Sequence, residues 1–183
     1  MELVLAKSQD ALVLTSISKR AFDSDIEVGG TQVGGPPGYQ SQKYHVKMAA
    51  QKHLYTLYNN SLIVGGAILF KDGTNLYIGR IFIDPKYFHQ GLGTKLMEMI
   101  ENLYSDVTSF SLDTPLWNIR TNNFYQKLGY EIERKDKEFA YYVKRRGWLY
   151  NEENNYIKLP IDYVCGQKVR IYFIKLGGDN GYW

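Results

Sequence analysis

The spacing of hydrophobic residues changes several times along the chain, and each change marks the end of a predicted element. Short apolar or alternating segments predict strands at 1–6, 53–58, 61–70, 76–83, 110–113, 130–133 and 138–144. Apolar residues at helical spacing predict helices at 10–22, 39–51, 91–104 and 118–128. The order of these elements predicts an α/β protein with a mixed, mostly antiparallel sheet flanked by helices.

Capping and turn residues support several of these boundaries. Ser8 is the expected N-cap of the first helix, and Asn59-Asn60 is the expected hairpin turn between the second and third strands. Residues 29–38 are rich in glycine and proline, so they cannot continue a helix and predict a loop. Gly129 ends the last helix.

Residues 147–183 form a predicted extension of the domain that spans residues 1–146. The segments 156–159 and 169–176 have strand composition and are joined through residues 165–167. An isolated two-stranded hairpin is only marginally stable in water. We therefore expect this extension to lie on the domain's own sheet or on a second subunit, and to contribute to a homodimer.

Composition narrows the class of protein. A chain of 183 residues with 44% hydrophobic and 22% charged residues is typical of one soluble domain with an appendage. A net charge of +3 is too weak to indicate nucleic-acid binding, and one cysteine excludes an internal disulfide and a thiolate metal site. No apolar run predicts a membrane span or a signal peptide. We expect a cytoplasmic protein without a metal, a membrane partner or a nucleic-acid partner.

The most informative segment runs from Ile81 to Thr94. A buried strand ends at Asp84-Pro85, a short loop follows, and the next helix begins through Gly91-Leu92-Gly93. Glycines allow close approach to backbone amides, and the first amides of a helix have no intrahelical partner. With the helix dipole, they make a site suited to a pyrophosphate. The alternative is a tight strand-to-helix turn without a ligand, and Leu96 replaces the third glycine of a dinucleotide motif.

A second segment, 118–130, places polar groups on one face of a predicted helix. Asn118 and Tyr125 are seven residues apart, about two helical turns, and Thr121 lies between them on the same face. The alternative is that Phe124, Tyr125 and Leu128 only pack this helix onto the sheet.

Both segments resemble motifs of the GNAT superfamily of N-acetyltransferases. Residues 83–96 are similar to its acetyl-CoA pyrophosphate loop, [RQ]-x-x-G-x-[GA], except that Phe88 replaces the first Arg or Gln. Residues 118–130 are similar to its N-x-x-[AT]-x-x-F-Y-x-K-x-G-[FY] helix. The two motifs occur in the family's order, separated by a predicted helix and strand.

The resemblance implies an acetyl-CoA-dependent N-acetyltransferase that moves an acetyl group directly to a primary amine in a ternary complex. It implies that Tyr125 protonates the departing thiolate and that Asn118 hydrogen-bonds the pantetheine. The fourth and fifth strands would separate so that the pantetheine pairs with the fourth. The implied cofactor-binding residues are Ile81, Phe82, Ile83, Phe88, His89, Gln90, Gly91, Leu92, Gly93, Thr94 and Asn118.

The general base is less well defined. Many relatives carry a glutamate on the fourth strand, but Gly79 and Arg80 stand at the matching positions here. Asp113 at the end of the fifth strand is the leading candidate, and its alternative role is to cap the Thr114-Pro115 turn. Attack by an already neutral amine or deprotonation through water would need no carboxylate. We assign no role to Glu27, His45 and His89.

Three functions from different classes remain open at this stage. The leading one is the acetyltransferase, with the 29–38 loop and Tyr39 beside the acceptor amine; Arg80 is compatible with an acceptor that carries a carboxylate. The second is a non-catalytic CoA-binding module with the same fold. The third is a nucleic-acid-binding protein that uses its tyrosine-rich C-terminal part.

Overall fold

The structure, a computed structural model, describes residues 1–146 in full and the backbone of residues 150–151, 156–158 and 173–175. The predicted connection at 165–167 lies outside the described residues. The chain divides into two compact units, Met1–Lys144 and Arg145–Trp183.

The first unit contains the predicted sequence of strands and helices. The elements are β1 (Glu2–Leu5), α1 (Ala11–Asp23), α2 (Gln42–Ala50), β2 (Leu54–Asn59), β3 (Leu62–Asp72), β4 (Asn75–Ile83), α3 (Leu92–Leu103), β5 (Ser109–Pro115), α4 (Ile119–Lys127), β6 (Glu131–Lys135) and β7 (Phe139–Arg145). Short 3₁₀ turns lie at Ser8–Asp10, Ser24–Val28 and Pro85–Tyr87.

The seven strands form one sheet in the order β1-β2-β3-β4-β5-β7-β6. The β4–β5 pair is parallel, whereas β1–β2, β2–β3, β3–β4 and β6–β7 are antiparallel. The mixed, mostly antiparallel α/β architecture predicted from the sequence is therefore confirmed.

Helices cover both faces of this sheet. Helices α1 and α2 pack on one face, where Leu14 and Ile17 contact Ile68 and Phe82 of the sheet. Helix α3 packs on the opposite face through Leu96 and other apolar residues. Each helix buries one apolar stripe, as the spacing of its hydrophobic residues predicts.

A β-bulge interrupts β4 at Gly79. Ile68 of β3 pairs with Arg80 and Leu69 pairs with Ile78, so Gly79 has no partner in that ladder. A Cβ atom at Gly79 would lie 2.8 Å from the ring of Phe70, which explains why glycine occupies the bulge. The extra residue changes which side chains of β4 share a face.

Two local predictions were displaced by tertiary or capping contacts. Helix α1 follows a 3₁₀ turn, and the Asp10 carboxylate rather than Ser8 accepts a hydrogen bond from the Lys7 amide at 3.0 Å. The β2–β3 hairpin turns at Asn60 and Ser61, whose φ values are +48° and +66°, one residue later than predicted.

The second unit contains three short strands, β8 (Tyr150–Asn151), β9 (Tyr156–Lys158) and β10 (Phe173–Lys175). They form a separate antiparallel sheet in the order β10-β9-β8. The third strand, which was not predicted, gives the expected hairpin an additional partner within its own unit.

Asp84 connects the end of β4 to helix α1. Its side chain is almost fully buried, and its Oδ2 accepts a hydrogen bond from the Arg20 Nη2 at 2.6 Å. Burial alone would raise the pKa of Asp84, but the bonds from Arg20 and from the Lys86 amide lower it overall.

We expect Asp84→Asn to lower the free energy of unfolding at pH 7 by about 1–3 kcal/mol, because a charge-assisted bond to a buried group is lost. A carboxyl with a lowered pKa contributes stability above its unfolded pKa and loses it as the pH falls through the folded value. The difference from the wild type should therefore shrink below about pH 4. Denaturant unfolding at several pH values measures both effects.

Asp106→Asn is the matched control, since the Lys71–Asp106 ion pair lies on the surface. It should cost at most about 1 kcal/mol. Equal losses in the two variants would contradict the role given to Asp84.

Candidate active site

Strands β4 and β5 separate part of the way along their length. Their parallel pairing includes Asn75 with Ser109, Leu76 with Phe110 and Tyr77 with Ser111, and within the described residues it goes no further. Beyond this point β4 remains paired with β3 up to Ile83. The side of β4 that faces β5 at 81–83 is therefore not used by that strand, and a ligand with amide groups can pair there.

The connection from β4 to α3 has the backbone geometry of an anion cradle. Gly91 is the N-cap of α3 with φ +75°, and His89 also has a positive φ of +62°. The first hydrogen bond into the helix runs from the Lys95 amide to the Gly91 carbonyl at 3.1 Å. The amides of Leu92, Gly93 and Thr94 precede that bond and are free of intrahelical partners. A Cβ atom at Gly91 would meet no described atom within 4 Å, so there is open space at the cradle.

The two motif segments meet at this cradle. A Cβ atom at Gly93 would lie 3.3 Å from the ring of Phe124, so Gly93 allows α3 and α4 to approach closely. The Arg120 guanidinium lies 5.0 Å from the centre of the Phe88 ring. Phe88, which stands where the family pattern has Arg or Gln, is thus accompanied by a cation from α4 that the sequence analysis missed.

The other predicted cofactor-binding residues have different environments. Phe82 and Ile83 are buried in the core, and only their backbone can contribute to binding. Gln90 donates a hydrogen bond from its side chain to the Lys86 carbonyl at 3.4 Å, and Ile81 is partly buried.

Asn118 is the N-cap of α4. Its side-chain oxygen accepts a hydrogen bond from the Thr121 amide at 3.1 Å, and the residue is 1% exposed. Its side chain also hydrogen-bonds Asp25, whose carboxylate lies 2.5 Å from the Arg120 Nη2. Burial raises the pKa of Asp25, and these contacts oppose that effect. The hydrogen bond from Asn118 to pantetheine stays a prediction. In the structure the Asn118 side chain bonds the Thr121 amide and Asp25 instead.

Tyr125 is buried among aromatic rings. Its ring is 7% exposed and contacts the rings of Phe124, Tyr130 and Tyr142 at centroid distances of 5.2, 5.9 and 6.1 Å. Burial raises the pKa of its hydroxyl well above the ordinary value, and the charges of Asp113, Asp25 and Tyr77 raise it further. The hydroxyl is therefore protonated at neutral pH and can act as an acid. Tyr125 therefore packs against its neighbours, and its role as the acid stays a prediction.

Asp113 has a partner that the sequence analysis did not identify. The Tyr77 hydroxyl donates a short hydrogen bond to the Asp113 Oδ1 across the β4–β5 pair. Burial raises the pKa of Tyr77, and the bond to Asp113 raises it further, so Tyr77 remains the donor. Asp113 thus contacts Tyr77 at the point where the two strands separate.

The 29–38 loop contacts β4 beside this pair. The Arg80 Nη2 donates to the Pro37 carbonyl at 2.5 Å, and its guanidinium lies 4.7 Å from the centre of the Tyr44 ring. Tyr39 at the end of the loop donates from its hydroxyl to Asp23 at 2.9 Å. The loop therefore lies against β4 at Arg80, and its contact with the acceptor amine stays a prediction.

The His45 ring contacts Phe82 of β4, and the His89 ring contacts Phe88. His45 is fully buried, and its Nδ1 donates to the Ser41 carbonyl at 2.9 Å. Burial lowers its pKa, so the ring is neutral at physiological pH.

Comparison with known proteins shows what this domain is similar to. A family model described as acetyltransferase (GNAT) domain matches residues 50–132, which include both motifs. A comparison with curated protein sequences found no match.

Three solved structures illustrate the similarity of the fold. An N-acetyltransferase PaiA from Thermoplasma acidophilum in complex with coenzyme A is 14% identical, with 79% of this chain and 98% of that chain covered and a TM-score of 0.68. A GNAT-family acetyltransferase from Streptococcus agalactiae is 15% identical, with 80% and 95% covered and a TM-score of 0.70. Ard1 from Thermoplasma volcanium is 15% identical, with 79% and 96% covered and a TM-score of 0.60. At these identities the similarity shows the GNAT fold.

Two further searches concern other kinds of site. Among the described residues no helix is long and apolar enough to cross a membrane. Within the same residues there is no group of three or more His, Cys, Asp or Glu side chains placed to hold a metal ion.

We expect Gly91→Ala to weaken CoA binding by about tenfold or more, because the new methyl group enters the open space of the cradle. Calorimetric titration of CoA measures the effect. Gly91 is a sharper test than Gly93, where a larger side chain would also press on Phe124.

Gly73→Ala is the matched control. Gly73 also has a positive φ, +54°, and open space around it, but it lies in the β3–β4 turn. Both variants should lose about 1 kcal/mol of stability through backbone strain. Equal CoA affinity in the two variants would contradict the cradle.

Proposed function

We propose that this chain, which carries an acetyltransferase domain of the GNAT family, transfers the acetyl group of acetyl-CoA to a primary amine. The observation that carries the proposal is the Tyr77–Asp113 hydrogen bond where β4 and β5 separate, together with the buried Tyr125 hydroxyl, whose pKa is raised by burial and by the charge of Asp113. An acid and a base at one gap in the sheet supply both proton transfers that amide formation from a thioester requires.

The residues present suit acetyl-CoA. The amides of Leu92, Gly93 and Thr94 and the open space at Gly91 suit a pyrophosphate, with Arg120 as a nearby cation. The edge of β4 at Ile81–Ile83 suits the amides of pantetheine. The bound cosubstrate supplies a thioester, whose carbonyl carbon is the electrophile.

The proton movements follow from the environments of the two side chains. The amine nitrogen forms a bond to the carbonyl carbon, and the carbon–sulfur bond breaks with its electron pair going to sulfur. Asp113 accepts the proton that the nitrogen loses, either directly or through Tyr77, and the Tyr125 hydroxyl gives a proton to the sulfur. No covalent acetyl-enzyme is required, which agrees with direct transfer in a ternary complex.

A non-catalytic CoA-binding module is the second candidate. The absence of a carboxylate from β4 favours it, since Gly79 and Arg80 stand where many relatives have a glutamate. Incubation of the protein with acetyl-CoA and a panel of amines, with detection of released thiol, separates the candidates. Binding of CoA without thiol release from any amine would favour the module.

Tyr125→Phe should fold normally and lower kcat by roughly ten- to ten-thousand-fold, because the ring packing is kept while the acidic proton is lost. Steady-state kinetics with a verified acceptor measure the change. Tyr142→Phe is the control, since this neighbouring ring bonds Asn122 through its hydroxyl at 2.8 Å and has no assigned chemistry. Wild-type turnover in Tyr125→Phe would reduce Tyr125 to a packing residue.

Asp113→Asn should lower kcat/KM by roughly a hundredfold or more, because the amide cannot take up the amine proton. Ser111→Ala is the control. Ser111 lies two residues before Asp113 on the same face of β5, and its hydroxyl accepts a hydrogen bond from the Asn75 side chain at 2.9 Å, which the variant loses. It should stay close to the wild type. If Asp113→Asn is equally active, the amine attacks without this base.

The expected cytoplasmic location and homodimer belong to the same proposal. They rest on the composition of the chain and on the strand-like sequence of residues 147–183, as argued from the sequence.

A further inference from the structure

Arg80 has an unusual environment for a partly buried arginine. It is partly buried, and none of the ion pairs among the described residues includes it. Arg20 and Arg120, by comparison, pair with Asp84 and Asp25 at 2.6 and 2.5 Å. Burying a charge without a counter-ion is costly, so a missing partner needs an explanation.

One nitrogen of this guanidinium also lacks a hydrogen bond. The Nη1 is shielded from solvent and has no acceptor in the described part of the chain, whereas Nη2 donates to the Pro37 carbonyl. Burial lowers the pKa of Arg80, and the groups that oppose this effect are Tyr44 and Tyr77 rather than a carboxylate. An arginine fork with one arm bonded and one arm unused suits a planar anion.

The bulge at Gly79 determines where this charge points. Arg80 pairs with Ile68, and Tyr77 pairs with Phe70, and both partners belong to the core under α1 and α2. Directly paired residues lie on the same face, so Tyr77 and Arg80 share it. Arg80 therefore lies on the face of β4 that α1 and α2 cover, just past the point where pairing with β5 stops.

Opposite charges flank Tyr77 on this face. Its hydroxyl donates to Asp113, and the positive charge of Arg80 also acts on it. A strand advances about 3.3 Å per residue, so Arg80 lies roughly 7–10 Å from Tyr77 along β4. A small molecule with an amine at Asp113 and an anion at Arg80 would place each of its charged groups beside a side chain of opposite charge.

We infer that the acceptor is a small amine that carries a carboxylate, and that Arg80 binds this carboxylate through its guanidinium. This inference rests on the proposed acetyl transfer for the role of the amine. Because Nη1 is shielded from solvent, the carboxylate must displace the groups that shield it. The loop contacts the guanidinium through the Pro37 carbonyl. The free amino acid and the acidic side chain next to a peptide N-terminus present the same chemistry.

Matched acceptors test the inference. The full-length protein is assayed with ω-aminocarboxylates of two to six carbons, α-amino acids and glutamate-containing dipeptides, each against the amine that lacks the carboxylate. We expect kcat/KM to be roughly 10- to 100-fold higher for the best carboxylate-bearing member, mainly through KM. Arg80→Gln should abolish this preference, so that the carboxylate-bearing amines lose more activity than the plain amines, and Arg80→Lys should keep part of it.

A binding measurement distinguishes failure of this inference from failure of the proposed activity. With CoA present, the N-acetylated carboxylate is titrated against its carboxamide, and wild type but not Arg80→Gln should prefer the carboxylate. If no amine is acetylated but this preference holds, the anion site stands and the acetyl transfer falls.

Two results would overturn the inference. One is equal kcat/KM and equal binding for the members of each matched pair. The other is an equal loss for both kinds of amine in Arg80→Gln, which would assign Arg80 to the reacting carbonyl or to the structure.

Discussion

The short ladder between β4 and β5 is the constraint on which the site depends. The ladder stops at Tyr77 and Ser111, whereas β4 remains held by β3 up to Ile83. The sheet therefore stays intact on one side of β4 while its other side loses a strand partner. Backbone groups that are neither paired nor buried can bind a ligand without the loss of a protein hydrogen bond. The gap is thus a structural feature that needs no moving segment.

The bulge at Gly79 determines which side chains of β4 lie on the same face next to this gap. In a regular strand, residues three apart point to opposite faces, so Tyr77 and Arg80 would be separated by the sheet. One unpaired residue between them brings both to the α1 and α2 face. Glycine is required because a Cβ atom would collide with Phe70. Gly79, which stands where the family resemblance leads us to expect a glutamate, therefore also determines that Tyr77 and Arg80 lie on one face.

The sequence predicted those parts of the fold and site that have a local signature. The pyrophosphate loop and the α4 motif each lie within about fourteen consecutive residues, and a glycine, a cap or a helical period is visible at that range. The Tyr77–Asp113 and Asp25–Arg120 contacts join residues 36 and 95 positions apart, and nothing local marks them. Strand β8 has two residues, too few for a period. Ser8 is not the cap of α1 because it lies inside a 3₁₀ turn and the helix begins three residues later, at Ala11.

Helix α1 and the turn after it are bonded to both walls of the gap. Arg20 of α1 contacts Asp84, where the chain leaves β4 for the cradle, and Asp25 of the following turn contacts Arg120 of α4. These two bridges connect helix α1 and the turn after it to the end of β4 and to α4. Asp84 and Asp25 are thereby paired with arginines, and Asp113 accepts the hydrogen bond from Tyr77. Arg80 is then left with aromatic rings and a carbonyl as neighbours, so the anion that completes its hydrogen bonding has to come from outside the described chain.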